Sequence, residues 1–222
     1  MPAPDVPVTV DLTVEVNLAH NAKASPLSLA PDIWWSESRW TIGVTHSNAS
    51  VDRFQPGGSL CVRTDSLYCD STYRGSNIDA RYQLTPWLAP RARFLIRDVD
   101  PFKPAITLGA LHEHQHGRFH FRADPYLQLG LANQDQGNRA AIFLPVELGI
   151  EPTCRWLITL DTGWNSELAV IRDDWHIPLA LGVRAEATPH WSVGATVGFA
   201  SLLGPQNTPK QRVLFLGASW HP

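Results

Sequence analysis

Apolar and polar residues alternate from Val8 to Leu18. Val8, Val10, Leu12, Val14, Val16 and Leu18 form one set, and Thr9, Asp11, Thr13, Glu15 and Asn17 the other. Successive side chains of a strand point to opposite faces, so this period of two predicts a two-faced β-strand. A helix would spread the valines around its whole circumference. The same pattern returns along the chain. Trp40, Ile42 and Val44 alternate with Thr41, Gly43 and Thr45, and Ile78, Ala80 and Tyr82 alternate with Asp79, Arg81 and Gln83. Further on, Phe119, Phe121, Leu127 and Leu129 alternate with His120, Arg122, Gln128 and Gly130. Near the C-terminus Leu214, Leu216 and Trp220 close the series.

This periodicity predicts strands near 6–18, 24–31, 38–47, 76–84, 90–98, 105–112, 118–131, 139–150, 155–164, 176–187, 191–202 and 211–220. The fold class expected is all-β: a closed antiparallel transmembrane β-barrel of about 12 strands, with 10 as the alternative count. The whole chain, 1–222, reads as one domain. The connections alternate in length. Short turns are expected around Thr85–Ala89, Glu113–Gly117, Glu151–Cys154 and Thr188–His190, with Ala30–Glu37 a longer turn on the same side. Longer ones are expected at Asn48–Gly75, Val99–Pro104, Asn133–Asn138, Asn165–Trp175 and Leu203–Gln211. Pro125, Pro145 and Pro178 fall inside strands, where a missing N–H calls for a bulge or a break.

Composition adds the compartment. Charged residues are 18% of the 222, below the roughly 25% of an ordinary soluble domain. Net charge is -3, so no nucleic-acid partner is expected. No apolar run is long enough for a transmembrane helix, yet a barrel needs none, since only alternate residues meet lipid. The chain opens Met1-Pro2-Ala3-Pro4 with no export signal, and is read as a mature protein whose signal peptide has been removed. Cys61 and Cys69 are candidates for a disulfide in an oxidising compartment, and Cys154 has no evident partner.

Alternation alone does not say which face is outside. Lys23, Lys103 and Lys210 all fall in predicted loops, whereas a soluble barrel would carry lysine on its outer strands. Trp34, Trp35, Trp40, Trp87, Trp156, Trp191 and Trp220 cluster at the short-turn end, with Trp164 and Trp175 at the other. Tryptophan prefers the headgroup level, so these form two aromatic girdles. Many polar-face positions are glycine, including Gly43, Gly109, Gly182 and Gly217. In this architecture the chain resembles the bacterial outer-membrane β-barrels, and the run from Val213 to Trp220 resembles their terminal assembly signal. The resemblance implies a Gram-negative outer-membrane location, outer-membrane lipid as partner, and no cofactor.

The polar face carries the candidate chemistry. Asp11, Glu15, Asp79, Arg81, Arg91, Arg93, Arg97, Arg118, Arg122, Asp124, Glu147, Asp161, Arg184 and Glu186 are the expected lumen-lining charges. Closing the sheet is expected to set a basic wall against an acidic one, a transverse field suited to selecting small polar solutes or ions. The expected function is therefore porin-like transport without enzymatic activity. The alternative is a plugged structural, adhesive or partner-binding barrel, because buried charges tend to pair. His46-Ser47-Asn48 resembles the motif of outer-membrane phospholipases, but adjacent residues of a strand face opposite ways, which leaves a lipid hydrolase as the weaker reading. His112, His114, His116 and His120 are read as a polar hairpin rather than a metal site.

Overall fold

The computed structural model describes residues 8–18, 27–46, 60–62, 76–99, 101–205 and 212–221. The elements are β1 (Val8–Asn17), β2 (Leu27–Glu37), β3 (Trp40–Thr45), β4 (Leu60–Val62), β5 (Ser76–Tyr82), β6 (Leu88–Val99) and β7 (Phe102–His116). They continue with β8 (Phe119–Ala123), β9 (Tyr126–Gly130), β10 (Ala141–Thr153), β11 (Trp156–Glu167), β12 (Ile177–Thr188), β13 (Trp191–Leu203) and β14 (Arg212–Trp220). All pairings are antiparallel, and β1 pairs with both β2 and β14, which closes a 12-stranded ring. Closure leaves no free edge for another chain to pair with.

Twelve positions hold thirteen segments because β8 and β9 share one. On β10, Phe143 faces Tyr126 and Val146 faces Ala123; on β7, Gly109 faces Tyr126 and His112 faces Ala123. The register is therefore continuous through Asp124-Pro125. Pro125 and Pro145 lack the N–H groups that would complete the ladders to β7 and β10 there. The neighbouring bonds survive, Ala110 N–H to Pro125 O at 3.2 Å and Asp124 N–H to Pro145 O at 3.2 Å. Pro178 sits inside the register shift between Ile177 and Leu179. β4 pairs only with β2 and lies outside the ring.

Two expected boundaries move. The second strand runs to Glu37, and its turn is the tight Ser38-Arg39 rather than Ala30–Glu37. Pro31-Asp32 carries a turn signal, yet Ala30, Asp32 and Trp34 are buried while Ile33 and Trp35 are exposed, which is a strand's alternation. The connection expected at Val99–Pro104 is also tight, since Val99 pairs with Phe102. Both termini and the remaining short turns lie at one end of the barrel.

The two faces differ in chemistry. Leu108, Ile78, Leu181, Val197 and Leu148 are among the large apolar side chains left exposed on the outside. The buried set is largely polar: Asp79, Arg91, Arg93, Thr107, Asp124, Gln128, Glu147, Asp161 and Thr196. This is the reverse of a soluble protein, and it suits hydrocarbon outside with hydrogen-bonding groups inside.

The girdle needs one correction. Trp34 is buried and faces inward, because adjacent Trp34 and Trp35 cannot both face lipid. Trp35, Trp40, Trp87, Trp156 and Trp191 are exposed at the short-turn end. Trp220 ends β14 at the same level, Trp164 lies toward the other end of β11, and Trp175 is in the connection before β12.

A charged lumen with a septum and a chamber

The arginines of β5 and β6 do not form a bare basic wall. Arg91 Nε donates to both oxygens of Asp79, at 3.0 and 2.9 Å, and its Nη groups pair with Asp79 and Asp124. Arg93 Nη2 reaches the same Asp124 oxygen at 3.4 Å. Asp79 and Asp124 are fully buried, so these four charges form a packed septum along the inner wall from β5 to the β8–β9 position. Removed from water, Arg91 is compensated by two carboxylates in hydrogen-bonding geometry and Arg93 by one.

Aromatic side chains complete this wall. Arg93 lies 4.3 Å over the Tyr126 ring and Arg81 lies 5.2 Å over Trp34. The Trp34 ring lies across Gly43, directly opposite it on β3, while Gly109 meets the Pro125 carbonyl and the Cα and Cβ of Tyr126, its partner on β9. Phe143 stacks on Tyr126 at 4.6 Å. An arginine over an inward aromatic ring thus occurs twice.

Around the ring, β12 and β13 stand opposite β5 and β6. Their inward residues include Ala180, Gly182, Gly194, Thr196 and Gly198, which are small and uncharged. The expected basic-against-acidic division is therefore corrected: acids are interleaved with the arginines, and the facing stretch of β12 and β13 is neutral as far as Arg184 and Glu186, which lie toward the short-turn end. The cause is parity, since Asp79 shares a face with Arg81, and register, which brings Asp124 beside Arg91.

The other charges lie around this septum. Glu147 and Asp161 are buried cross-strand neighbours on β10 and β11. Arg122 Nε is 3.1 Å from Glu113, and His120 Nε2 is 2.8 Å from Glu151. Arg97 donates to Asn138 Oδ1 at 3.2 Å and Gly137 O at 3.3 Å, fastening the connection before β10. Asp11 faces the buried Asp32 across β1 and β2. Arg118 is not on a strand at all; it occupies an exposed turn after Gly117. The side chain of Glu15 lies outside the described residues, as do Cys69 and the side chain of Cys61.

A chamber of about 490 Å³ lies at the short-turn end, lined by Glu113, Arg122, Glu147, Glu151, Arg184 and Glu186, with Cys154 and Arg155 also on its wall. Arg184 and Glu186 are exposed there. Sequence reasoning missed Asp32, Glu113 and Glu151, and placed His120 on the polar face without giving it a lumen partner. Asp32 was hidden by its turn-like neighbourhood, and the others by their nearness to predicted turns, although their inward parity is legible.

The remaining motifs do not assemble. His46 Nδ1 is 2.7 Å from Pro31 O, and its backbone N–H donates to Asp32 at 2.6 Å; Ser47 and Asn48 lie outside the described residues. His112, His114 and His116 share the outer face of β7, whereas His120 faces inward from β8. Among the described residues no group of three or more metal-ligating side chains converges.

No family model matches the sequence, and no curated protein matches it. Solved structures do. The chain is similar to the NanC porin, with a TM-score of 0.68 at 7% identity over 96% of this chain and 100% of that one. It is similar to the KdgM porin, determined in complex with disordered oligogalacturonate, with a TM-score of 0.61 at 8% identity over 96% and 99%. It is also similar to outer membrane phospholipase A from Escherichia coli, with a TM-score of 0.56 at 11% identity over 96% and 90%. At such identities the likeness is one of fold, and with the apolar exterior it supports an outer-membrane location. The chain has the fold of the bacterial outer-membrane β-barrels.

Proposed function

We propose that this barrel is a narrow channel through the outer membrane for small polar solutes or ions. The chamber at the short-turn end carries this reading: it is walled by carboxylates, arginines and a histidine pair partner, the chemistry of a passage for hydrated solutes. The whole-length likeness to two porins supports it further. On this reading the Asp79–Arg91–Asp124–Arg93 septum is the constriction, and solutes pass along the small residues of β12 and β13.

Single-channel recording in planar bilayers tests the proposal. Stable, charge-selective conductance steps are expected, and the Arg91→Ala variant should change both step size and selectivity. A persistently silent membrane would overturn it. That result would favour the second reading, a filled barrel acting through its outer connections, which the burial of Asp79, Asp124, Arg91 and Arg93 also supports.

We infer no enzymatic activity. The likeness to a phospholipase raises lipid hydrolysis, and assay in detergent with a Ser47→Ala control tests it. The position of His46, with its ring on Pro31 O, speaks for a structural role.

A further inference from the structure

The four tightest turns at the short-turn end follow one rule. Ser38-Arg39, Gly117-Arg118, Cys154-Arg155 and Pro189-His190 each place a basic or imidazole side chain second in the turn. An aromatic residue follows at once and opens the next strand: Trp40, Phe119, Trp156 and Trp191. The last strand repeats the pairing in reverse, as Trp220-His221. All four opening aromatics are exposed on the outer face, Phe119 most at 63%.

The backbone of every such turn is pinned. Arg39 O accepts from Gln83 N–H at 2.7 Å, Arg118 O from Glu151 at 2.8 Å, Arg155 O from Glu186 at 2.9 Å, and His190 O from His221 at 2.9 Å. Each turn tip is thus bonded to the neighbouring strand end, which holds the backbone of its second residue at the rim. The acids of this end are mostly turned elsewhere. Glu113 pairs with Arg122, and Glu151 with His120, at the chamber wall, where Glu186 also lies and which Arg155 borders from its turn. Glu37 is the exposed carboxylate beside the first turn. Among the described residues no ion pair engages Arg39, Arg118 or Arg155.

An aromatic ring at the edge of hydrocarbon with a cation one residue beyond it matches the profile of a lipid monolayer. The ring lies level with the glycerol region and the guanidinium with the phosphates. Short turns face the periplasm in this architecture, where the leaflet is phospholipid. We propose that this repeated cation–aromatic rim is a binding belt for the headgroups of anionic phospholipids, here of the phosphatidylglycerol type. The inference depends on the membrane-spanning fold alone and holds whether or not the lumen conducts.

The full chain reconstituted into vesicles of phosphatidylcholine mixed with phosphatidylglycerol, then released in mild detergent, gives the test. Native mass spectrometry counts the two lipids that stay bound. Phosphatidylglycerol should be enriched over its share of the vesicle, each arginine accounting for up to roughly fivefold in relative affinity. Molar salt should abolish the enrichment by screening. The R39Q/R118Q/R155Q variant should retain both lipids in vesicle proportion, while R39K/R118K/R155K keeps the preference. Heat-shifted gel mobility reports that each variant is folded. Retention in vesicle proportion by the wild-type chain, or an undiminished preference in the glutamine variant, would overturn the proposal. If the glutamine variant does not fold, the wild-type composition and its salt dependence decide alone.

Discussion

Gly43 makes room for the inward Trp34 ring, and Gly109 for the close approach of Pro125 and Tyr126. A Cβ at Gly43 would fall 2.5 Å from Trp34, and one at Gly109 would fall 2.3 Å from the Pro125 carbonyl. At Gly217 a Cβ meets nothing within 4 Å. Gly43→Ala and Gly109→Ala should therefore each cost about 1–3 kcal/mol through overpacking, and Gly217→Ala should cost little. Unfolding of the three variants in urea, read by tryptophan emission and heat-shifted mobility, checks the order. Asp124 is a second residue of consequence, because it neutralises both Arg91 and Arg93 in full burial. Asp124→Asn keeps the shape but leaves Arg91 with Asp79 alone and takes from Arg93 the carboxylate it meets. It should cost about 3–5 kcal/mol, measured the same way, and an unchanged unfolding midpoint would mean that the septum is hydrated rather than packed.

At the scale of elements, β8 and β9 behave as one strand interrupted by chemistry rather than by geometry. The register on both sides is unbroken, so the gap is two absent N–H groups. Pro125→Ala should give residue 125 an amide that bonds toward β7 and exchanges as slowly as its neighbours. Fast exchange at 125 would show that the backbone there bends away from the ladder. The outer face has its own test. Leu181, 60% exposed and midway along β12, should meet the hydrocarbon centre. Leu181→Arg should cost about 2–4 kcal/mol in bilayers, whereas Val193→Arg, nearer the rim on β13, should cost markedly less. Equal costs in folding titrations would contradict the depth assigned to the strands.

Across the whole molecule the two ends differ in kind. The short-turn end has tight turns, a ring of aromatics and the chamber; the other end carries the longer connections. In this architecture short turns face the periplasm, which is the orientation expected for this end. Cys154 is exposed in the β10–β11 turn and also lines the chamber, so it reports on both. In a chain with Cys61 and Cys69 changed to Ser, an impermeant maleimide should fail to label Cys154 in intact cells and should label it once the outer membrane is opened. Labelling of intact cells would reverse the orientation. A bulky adduct at Cys154 should also lower conductance if the chamber is part of the passage.

The ring was largely legible beforehand because a barrel's strands depend on local alternation. Each of the 12 predicted strands has its counterpart, and the outward direction of the apolar face followed from where lysine and tryptophan fall. The boundaries of β2 were hidden because Pro31-Asp32 imitates a turn, and only its pairing with β1 keeps that segment extended. The candidate lumen was legible as a list of inward residues but not as an arrangement. Parity tells which side of the sheet Arg91, Asp79 and Asp124 occupy; register between strands, joining residues 12 and 33 apart in the chain, decides that they touch. Alternation is a property of one strand, set by the tetrahedral geometry of its own backbone. Charge pairing, the glycine–aromatic contacts and the chamber come from closing the sheet on itself, a relation between distant strands that no single segment contains.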